Sequence, residues 1–108
     1  MSSRLEEILS IVAQFPADPF ARYGLAMEYR NLGRLDEARR TFAALLADYP
    51  DYVPQYLMYG NLLVAMKDRE QARWVYEQGI AAAARARNHH AERELRAALA
   101  ALEELDED

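Results

Sequence analysis

The chain has 108 residues, of which 52% are hydrophobic, with 13 Lys and Arg against 18 Asp and Glu. It contains no cysteine, which excludes disulfides, thiol catalysis and thiolate metal sites. A chain of this length can bury one hydrophobic core, so we expect a single domain over residues 1–108. We see no secretion signal and no apolar run near the roughly 20 residues that cross a bilayer. We therefore expect a soluble, cytoplasmic protein without a membrane partner.

The net charge of -5 is concentrated at the C-terminal end of the chain. Five acidic residues account for it: Glu103, Glu104, Asp106, Glu107 and Asp108. The rest of the chain is electrically balanced and has no positive stripe for phosphates, so we expect no nucleic-acid partner. We interpret the acidic end as a solvated helix end; the alternative is an attractant for a basic partner.

Apolar residues recur at steps of three and four along nearly the whole chain, and the alternating pattern of strands is absent. The sequence therefore predicts an all-α protein. The predicted helices cover residues 3–14, 19–32, 36–48, 54–66, 69–86 and 91–105. Ser3 and Glu6 have the spacing of a capping box, and Asp18 before Pro19 is a typical helix start. Gly33 is expected in the left-handed conformation that follows a helix end.

The sequence is poor in residues that carry catalysis. The two histidines, His89 and His90, are adjacent in a predicted polar break over 87–90, and no nearby His or Cys completes a metal site. Isolated glycines form no phosphate-binding loop, and the few hydroxyl residues have no partner set for nucleophilic catalysis. We therefore expect no enzyme activity, no metal and no cofactor. The alternative is an enzyme or metal protein built around both histidines and nearby acids.

Comparison of the chain with itself reveals a repeat at an offset of 34 residues. Small residues recur where helices would approach closely, and large apolar residues recur where they would fill the gap between helices. The paired positions are Pro16 and Pro50, Leu25 and Tyr59, Ala26 and Gly60, Tyr29 and Leu63, Gly33 and Lys67, Ala38 and Ala72, Phe42 and Tyr76, and Leu46 and Ile80.

These residues give the stretch from Pro19 to about Ala84 a specific pattern, which resembles two tandem tetratricopeptide repeats. The first repeat supplies Leu25, Ala26, Tyr29, Gly33, Ala38, Phe42 and Pro50. The second supplies Tyr56, Tyr59, Gly60, Leu63, Ala72, Tyr76 and Gly79. The sequence departs from the family pattern at Arg22, at Lys67 in place of the turn glycine, and at Ala84 in place of the closing proline.

The resemblance implies a right-handed α-solenoid of about six antiparallel helices. It divides the chain into an N-terminal half-repeat helix (3–16), a first repeat (19–52), a second repeat (53–86), a C-terminal capping helix (90–105) and an acidic end (106–108). It also implies a non-enzymatic module that binds another protein or peptide.

In this family the first helix of each repeat lines a concave groove for a peptide. The resemblance places ten residues in that groove: Phe20, Tyr23, Met27, Arg30, Asn31, Pro54, Leu57, Asn61, Val64 and Ala65. Members that bind a C-terminal carboxylate use Lys and Asn, whereas Tyr23, Met27 and Met58 stand at those positions here. The largely apolar wall predicts an apolar or amphipathic peptide, with Arg30 and Asn61 orienting its polar groups.

Three alternatives remain open for these surface residues. Phe20, Tyr23 and Leu57 could belong to the core or lie under the last helix. The apolar patch could instead be self-complementary, which would make the protein a homodimer or a larger homo-oligomer. Trp74 and Gln78 are a second candidate interface, unless Trp74 packs against the helix before it or under long arginine stems such as Arg73.

Overall fold

A computed structural model describes residues 3–106 of the chain, with the side chains of Ser3 and Asp106 left out. The described residues form six α-helices and no strand. The helices are α1 (Ser3–Gln14), α2 (Pro19–Asn31), α3 (Leu35–Asp48), α4 (Pro54–Ala65), α5 (Arg69–Arg85) and α6 (His89–Asp106). The predicted all-α fold is confirmed. The expected capping role of the Ser3 side chain lies outside what is described. The same is true of Glu107 and Asp108 in the acidic end, which we interpret as a solvated helix end.

The predicted helix bounds agree with the structure to within two residues, and the largest difference is at the start of α6. The prediction that His89 and His90 lie in a loop is wrong, because both residues belong to the first turn of α6. The side-chain Oδ1 of Asn88 accepts a hydrogen bond from the amide of Ala91 at 3.0 Å. Asn88 therefore caps the helix and starts it earlier than the apolar pattern suggested.

Three helices, α2, α4 and α5, each end in the same type of hydrogen-bonded turn, which contains one residue in the left-handed conformation. That residue is Gly33, Lys67 or Arg87, with φ of 76°, 65° and 56°. After α2, the amide of Gly33 donates to the carbonyl of Arg30 at 3.0 Å, and the amide of Arg34 donates to that of Tyr29 at 2.9 Å. The same pair of bonds recurs after α4 and α5, which satisfies carbonyls that every helix end leaves free. The 34-residue offset therefore pairs Gly33 and Lys67 because both occupy the same turn position.

The contacts divide the chain into two compact units, Met1–Tyr49 and Pro50–Asp108. In the first unit α2 packs against both α1 and α3. The ring of Tyr23 meets Phe42 edge-on, with ring centres 6.3 Å apart. The buried carboxylate of Glu28 pairs with Arg4 at 3.1 Å, which ties α1 to α2. The largest fully buried core side chains here are Phe42 and Leu45.

In the second unit α5 packs against both α4 and α6, and α4 also contacts α6. Glycines on facing helices allow the close approach. A Cβ added to Gly60 would overlap the ring of Tyr76, and a Cβ added to Gly79 would lie 2.5 Å from the Cβ of Tyr56. The same Cβ on Gly79 would lie 3.1 Å from Cδ1 of Leu95. Gly79 is therefore the point at which α5 meets both of its neighbours.

The first prediction concerns the absence of a side chain at Gly79. Gly79→Ala should lower the free energy of unfolding by about 2 kcal/mol, because overpacking exceeds the gain in helix propensity. Gly24→Ala is the matched control, since a Cβ there meets nothing within 4 Å. It should raise the free energy of unfolding by about 0.5 to 1 kcal/mol. Urea unfolding of both variants tests this, and equal stabilisation by both substitutions would contradict the packing at Gly79.

Two buried tyrosines of the second unit use their hydroxyls in partly buried hydrogen bonds within the protein. Tyr56 donates to the carbonyl of Pro50, and Tyr76 donates to Oδ1 of Asn61 at 2.6 Å. Burial raises the pKa of both hydroxyls above the ordinary value of 10.0, because removal from water disfavours the phenolate. The unfolded chain therefore loses these protons at a lower pH than the folded chain does.

The second prediction follows from the sign of that pKa shift. The tyrosine contribution to stability should be constant below about pH 10 and should fall as the pH rises further, because the unfolded tyrosines ionise first. Tyr76→Phe should make this alkaline decline shallower in urea unfolding measured from about pH 8 to about pH 11. Asn61→Ala keeps the buried phenol and should keep most of the decline. Identical pH slopes for the wild type and Tyr76→Phe would contradict the argument.

Candidate functional site

The first five predicted groove residues lie on α2, in the first unit. Phe20 is 69% exposed, Asn31 is exposed, and the other three are half-buried. Burial raises the pKa of the Tyr23 hydroxyl, although the nearby charge of Arg30 acts in the opposite direction. Phe20 thus lies outside the core. Tyr23 contacts Phe42 in the core and is also partly exposed at the surface.

The other five predicted residues lie on α4, in the second unit. Pro54, Asn61 and Ala65 are exposed, whereas Leu57 and Val64 are half-buried. Asn61 accepts the hydrogen bond from Tyr76, so one of its polar atoms is already used inside the protein. Asn61 therefore has less freedom to orient a ligand than the sequence suggested.

The second unit contains a cavity of about 310 Å³ between the N-terminal ends of α4 and α6. Six of its nine lining residues are apolar: Val53, Pro54, Leu57, Met58, Ala91 and Leu95. Leu95 forms a buried floor at 1% exposure, and Leu57 and Met58 are half-buried. We call these nine residues the α4–α6 pocket. Its three polar members are Asn88, His90 and Glu94.

The polar residues stand on the rim of the α4–α6 pocket, because all three are exposed. Oδ1 of Asn88 is engaged in capping α6. Nε2 of His90 lies 3.1 Å from Oε1 of Glu94, one helical turn further along, and forms an ion pair when the imidazole is protonated. The pocket therefore has an apolar floor and one carboxylate at its edge.

The sequence prediction found the α4 side of this pocket, at Pro54 and Leu57, and missed the α6 side. His90, Glu94 and Leu95 were not placed in the site, because α6 lies beyond the repeat pattern and was positioned by amphipathicity alone. The asparagine cap at Asn88 was a signal that α6 includes His90, but it could not show that these residues lie beside α4.

The first unit has its own cavity of about 330 Å³, which is more polar than the α4–α6 pocket. Arg22 in its wall pairs with Asp48 at 2.8 Å, and Glu37 accepts two hydrogen bonds of 2.6 Å from Arg34. Those bonds lower the pKa of the Glu37 carboxyl. The charges of this cavity are thus largely satisfied within the protein, and it is a weaker candidate for an apolar ligand.

The second candidate interface, Trp74 with Gln78, lies on α5 and is accessible. The tryptophan is 46% exposed and Gln78 is exposed. About half of the surface of the Trp74 residue is thus covered by the protein, and the remainder faces solvent.

No group of three or more His, Asp and Glu side chains within residues 3–106 is arranged to hold a metal ion. None of the helices in this part of the chain combines the length and the apolar character that a bilayer crossing needs.

Comparisons with known proteins agree with this architecture. The family model described as tetratricopeptide repeat matches residues 3–58. No match was found among functionally curated proteins. A tetratricopeptide repeat domain protein from Salinibacter ruber, solved by NMR, is 33% identical, with a TM-score of 0.80 over 83% of this chain and 91% of that chain. The crystal structure of a tetratricopeptide repeat domain protein from the same organism is also 33% identical. Its TM-score is 0.78, with 82% of this chain and 99% of that chain covered.

A protein from Bordetella parapertussis, solved in solution, is 27% identical to this chain. Its TM-score is 0.82, with 98% of this chain and 92% of that chain covered. The family model covers more than half of the sequence, and the Salinibacter structures extend the similarity over most of it. This chain belongs to the tetratricopeptide repeat family.

Proposed function

We propose that this protein binds an apolar or amphipathic segment of another protein, and that the α4–α6 pocket receives an apolar side chain of that segment. Domains of this family generally mediate protein–protein interaction and are not catalytic. The observation that carries the proposal is the combination of an apolar floor at Leu57 and Leu95 with an open, polar rim.

The size of the pocket supports a side chain as its occupant. At about 310 Å³ it lies at the lower end of the range for small-molecule sites, which is about 300 to 1,000 Å³. A leucine, methionine or phenylalanine fits this space as part of a helix or an extended strand lying across the rim. Burial of such a side chain would contribute about 1.5 to 3 kcal/mol, enough to anchor a segment whose other contacts are weak.

The groove residues of α2 are proposed as a further contact surface within the first unit. Phe20 offers a largely exposed ring, and Tyr23 and Met27 are half-buried beside it along the helix. Aromatic and methionine side chains are favoured at binding surfaces because they offer large, adaptable apolar contacts. Arg30 and Asn31 contribute polar groups, and the guanidinium of Arg30 donates to Oδ1 of Asn31 at 3.2 Å.

The third prediction tests the pocket with a phage-displayed library of random 16-residue peptides. The wild-type protein should select peptides with a large apolar residue, and Leu57→Ala should weaken their binding about tenfold, because the floor of the pocket loses contact area. Leu32→Ala is the matched control, since Leu32 is an exposed leucine outside the pocket. Fluorescence anisotropy measures both affinities.

The outcome that would overturn the pocket proposal is equal binding of the selected peptides by the wild type and Leu57→Ala. Circular dichroism melting should show that both leucine variants are folded, so that a loss of binding reports the surface and not the stability of the chain.

A second candidate function is self-association through an exposed apolar surface. It is favoured by the exposure of Trp74 and Leu105, both in the second unit and both more than 40% exposed. Large exposed apolar side chains of this kind are typical of surfaces that bind another protein, including a second copy.

The fourth prediction separates the two functions by mass in solution. If the protein binds a peptide and does not self-associate, light scattering should give the monomer mass of 12.4 kDa across a concentration series. A mass of twice that value at low micromolar protein, reduced to the monomer by Trp74→Ala, would instead support self-association through α5.

A further inference from the structure

We infer that the segment bound by the α4–α6 pocket is basic, with a Lys or Arg beside the apolar side chain that enters the pocket and with its cation paired to Glu94. The inference rests on the proposed function, because it names the class of partner for that same pocket. It depends on the single carboxylate of the rim and on the charges around it.

Glu94 is positioned to receive a cation from a ligand. Its side chain lines the pocket and is 49% exposed, so it is accessible to a ligand. Its ion-pair partner within the described residues is His90, whose side chain is 76% exposed. An exposed imidazole is a weak and mobile partner for a carboxylate, and a guanidinium or ammonium group can take its place.

The neighbouring charges on α6 leave Glu94 as the available acid. Glu92 is already engaged, because the guanidinium of Arg96 lies 2.9 Å from its Oε2. Arg93 precedes Glu94 by one residue and is not among the residues that line the pocket. No Lys or Arg is among the nine residues that line the pocket. Apart from the imidazole of His90, the residues that line the pocket therefore offer no basic side chain to neutralise Glu94.

Glu103 and Glu104 follow Glu94 on the same helix, about 14 Å or more away, where salt screens their charge. A basic segment is therefore attracted by the rim carboxylate of Glu94 itself. An acidic segment would instead bring its carboxylate towards Glu94, and the lining residues offer no Lys or Arg to compensate. The charge of the pocket thus selects against acidic segments.

A helical ligand can fill the apolar floor and pair with Glu94 at the same time. Residues three or four positions apart lie on one face of a helix, so a Lys or Arg at that distance from the apolar residue would point along the rim. The apolar side chain would then contact Leu57 and Leu95 while the cation reaches Glu94. The pocket therefore recognises an apolar residue and a basic residue as a pair.

The fifth prediction uses the same library of random 16-residue peptides. Peptides selected by the wild type should be enriched in Lys or Arg three or four positions from the apolar residue. Glu94→Gln should weaken these peptides about three- to fivefold and should reduce the salt dependence of binding. Glu94→Lys should reverse the selection towards acidic residues at that position. Glu103→Gln is the matched control, because it removes the same charge from an exposed position of α6 outside the pocket.

The outcomes distinguish this inference from the proposal on which it rests. If peptides bind in a Leu57-dependent manner but show no excess of basic residues, and Glu94→Gln binds them as the wild type does, the basic-partner inference is overturned and the pocket proposal stands. If no selected peptide depends on Leu57, both are overturned. Enrichment that is lost with Glu94→Gln and kept with Glu103→Gln supports the inference.

Discussion

The arrangement of the second unit depends on the absence of a side chain at Gly79. A Cβ at this position would lie 2.5 Å from the Cβ of Tyr56 on α4 and 3.1 Å from Cδ1 of Leu95 on α6. Because there is none, α5 can hold both neighbouring helices at close range, and α4 and α6 come into contact with one another. The α4–α6 pocket forms where the starts of these two helices lie side by side. Its floor includes Leu95, which also packs on Gly79, so the packing of the core and the shape of the pocket are linked.

Local signals in the sequence were sufficient to predict most of the helical architecture. Asp18 with Pro19, and Gly33 after α2, have strong and short-range preferences, and both behave in the structure as expected. Lys67 and Arg87 were not predicted to be left-handed, because neither residue favours that conformation and only the hydrogen bonds of the turn impose it.

The candidate site could be predicted only in part, for a different physical reason. Pro54 and Leu57 were placed by the repeat pattern, which fixes which face of α4 is turned away from α5. Glu94 and Leu95 lie more than thirty residues later in the sequence and reach the pocket through tertiary packing. No local preference encodes such a contact. The repeat pattern also could not show that Asn61 would be engaged by the hydroxyl of Tyr76.

The chemistry of the pocket differs from that of family members that bind a carboxylate. Those members use Lys and Asn, whereas this pocket combines an apolar floor with the rim carboxylate of Glu94. The proposed function rests on the apolar floor, and the basic-partner inference rests on Glu94. The proposed basic ligand would thus differ in charge from the carboxylate ligands that other members of the same family bind.

The most direct test is an NMR titration of the ¹⁵N-labelled protein with a peptide selected from the random library. If the peptide occupies the α4–α6 pocket, the largest changes should appear at the backbone amides of Leu57, Met58, Ala91 and Glu94. Changes confined to Trp74 and Gln78, with these pocket amides unmoved at saturation, would show that the protein binds through α5 and would contradict the proposed site.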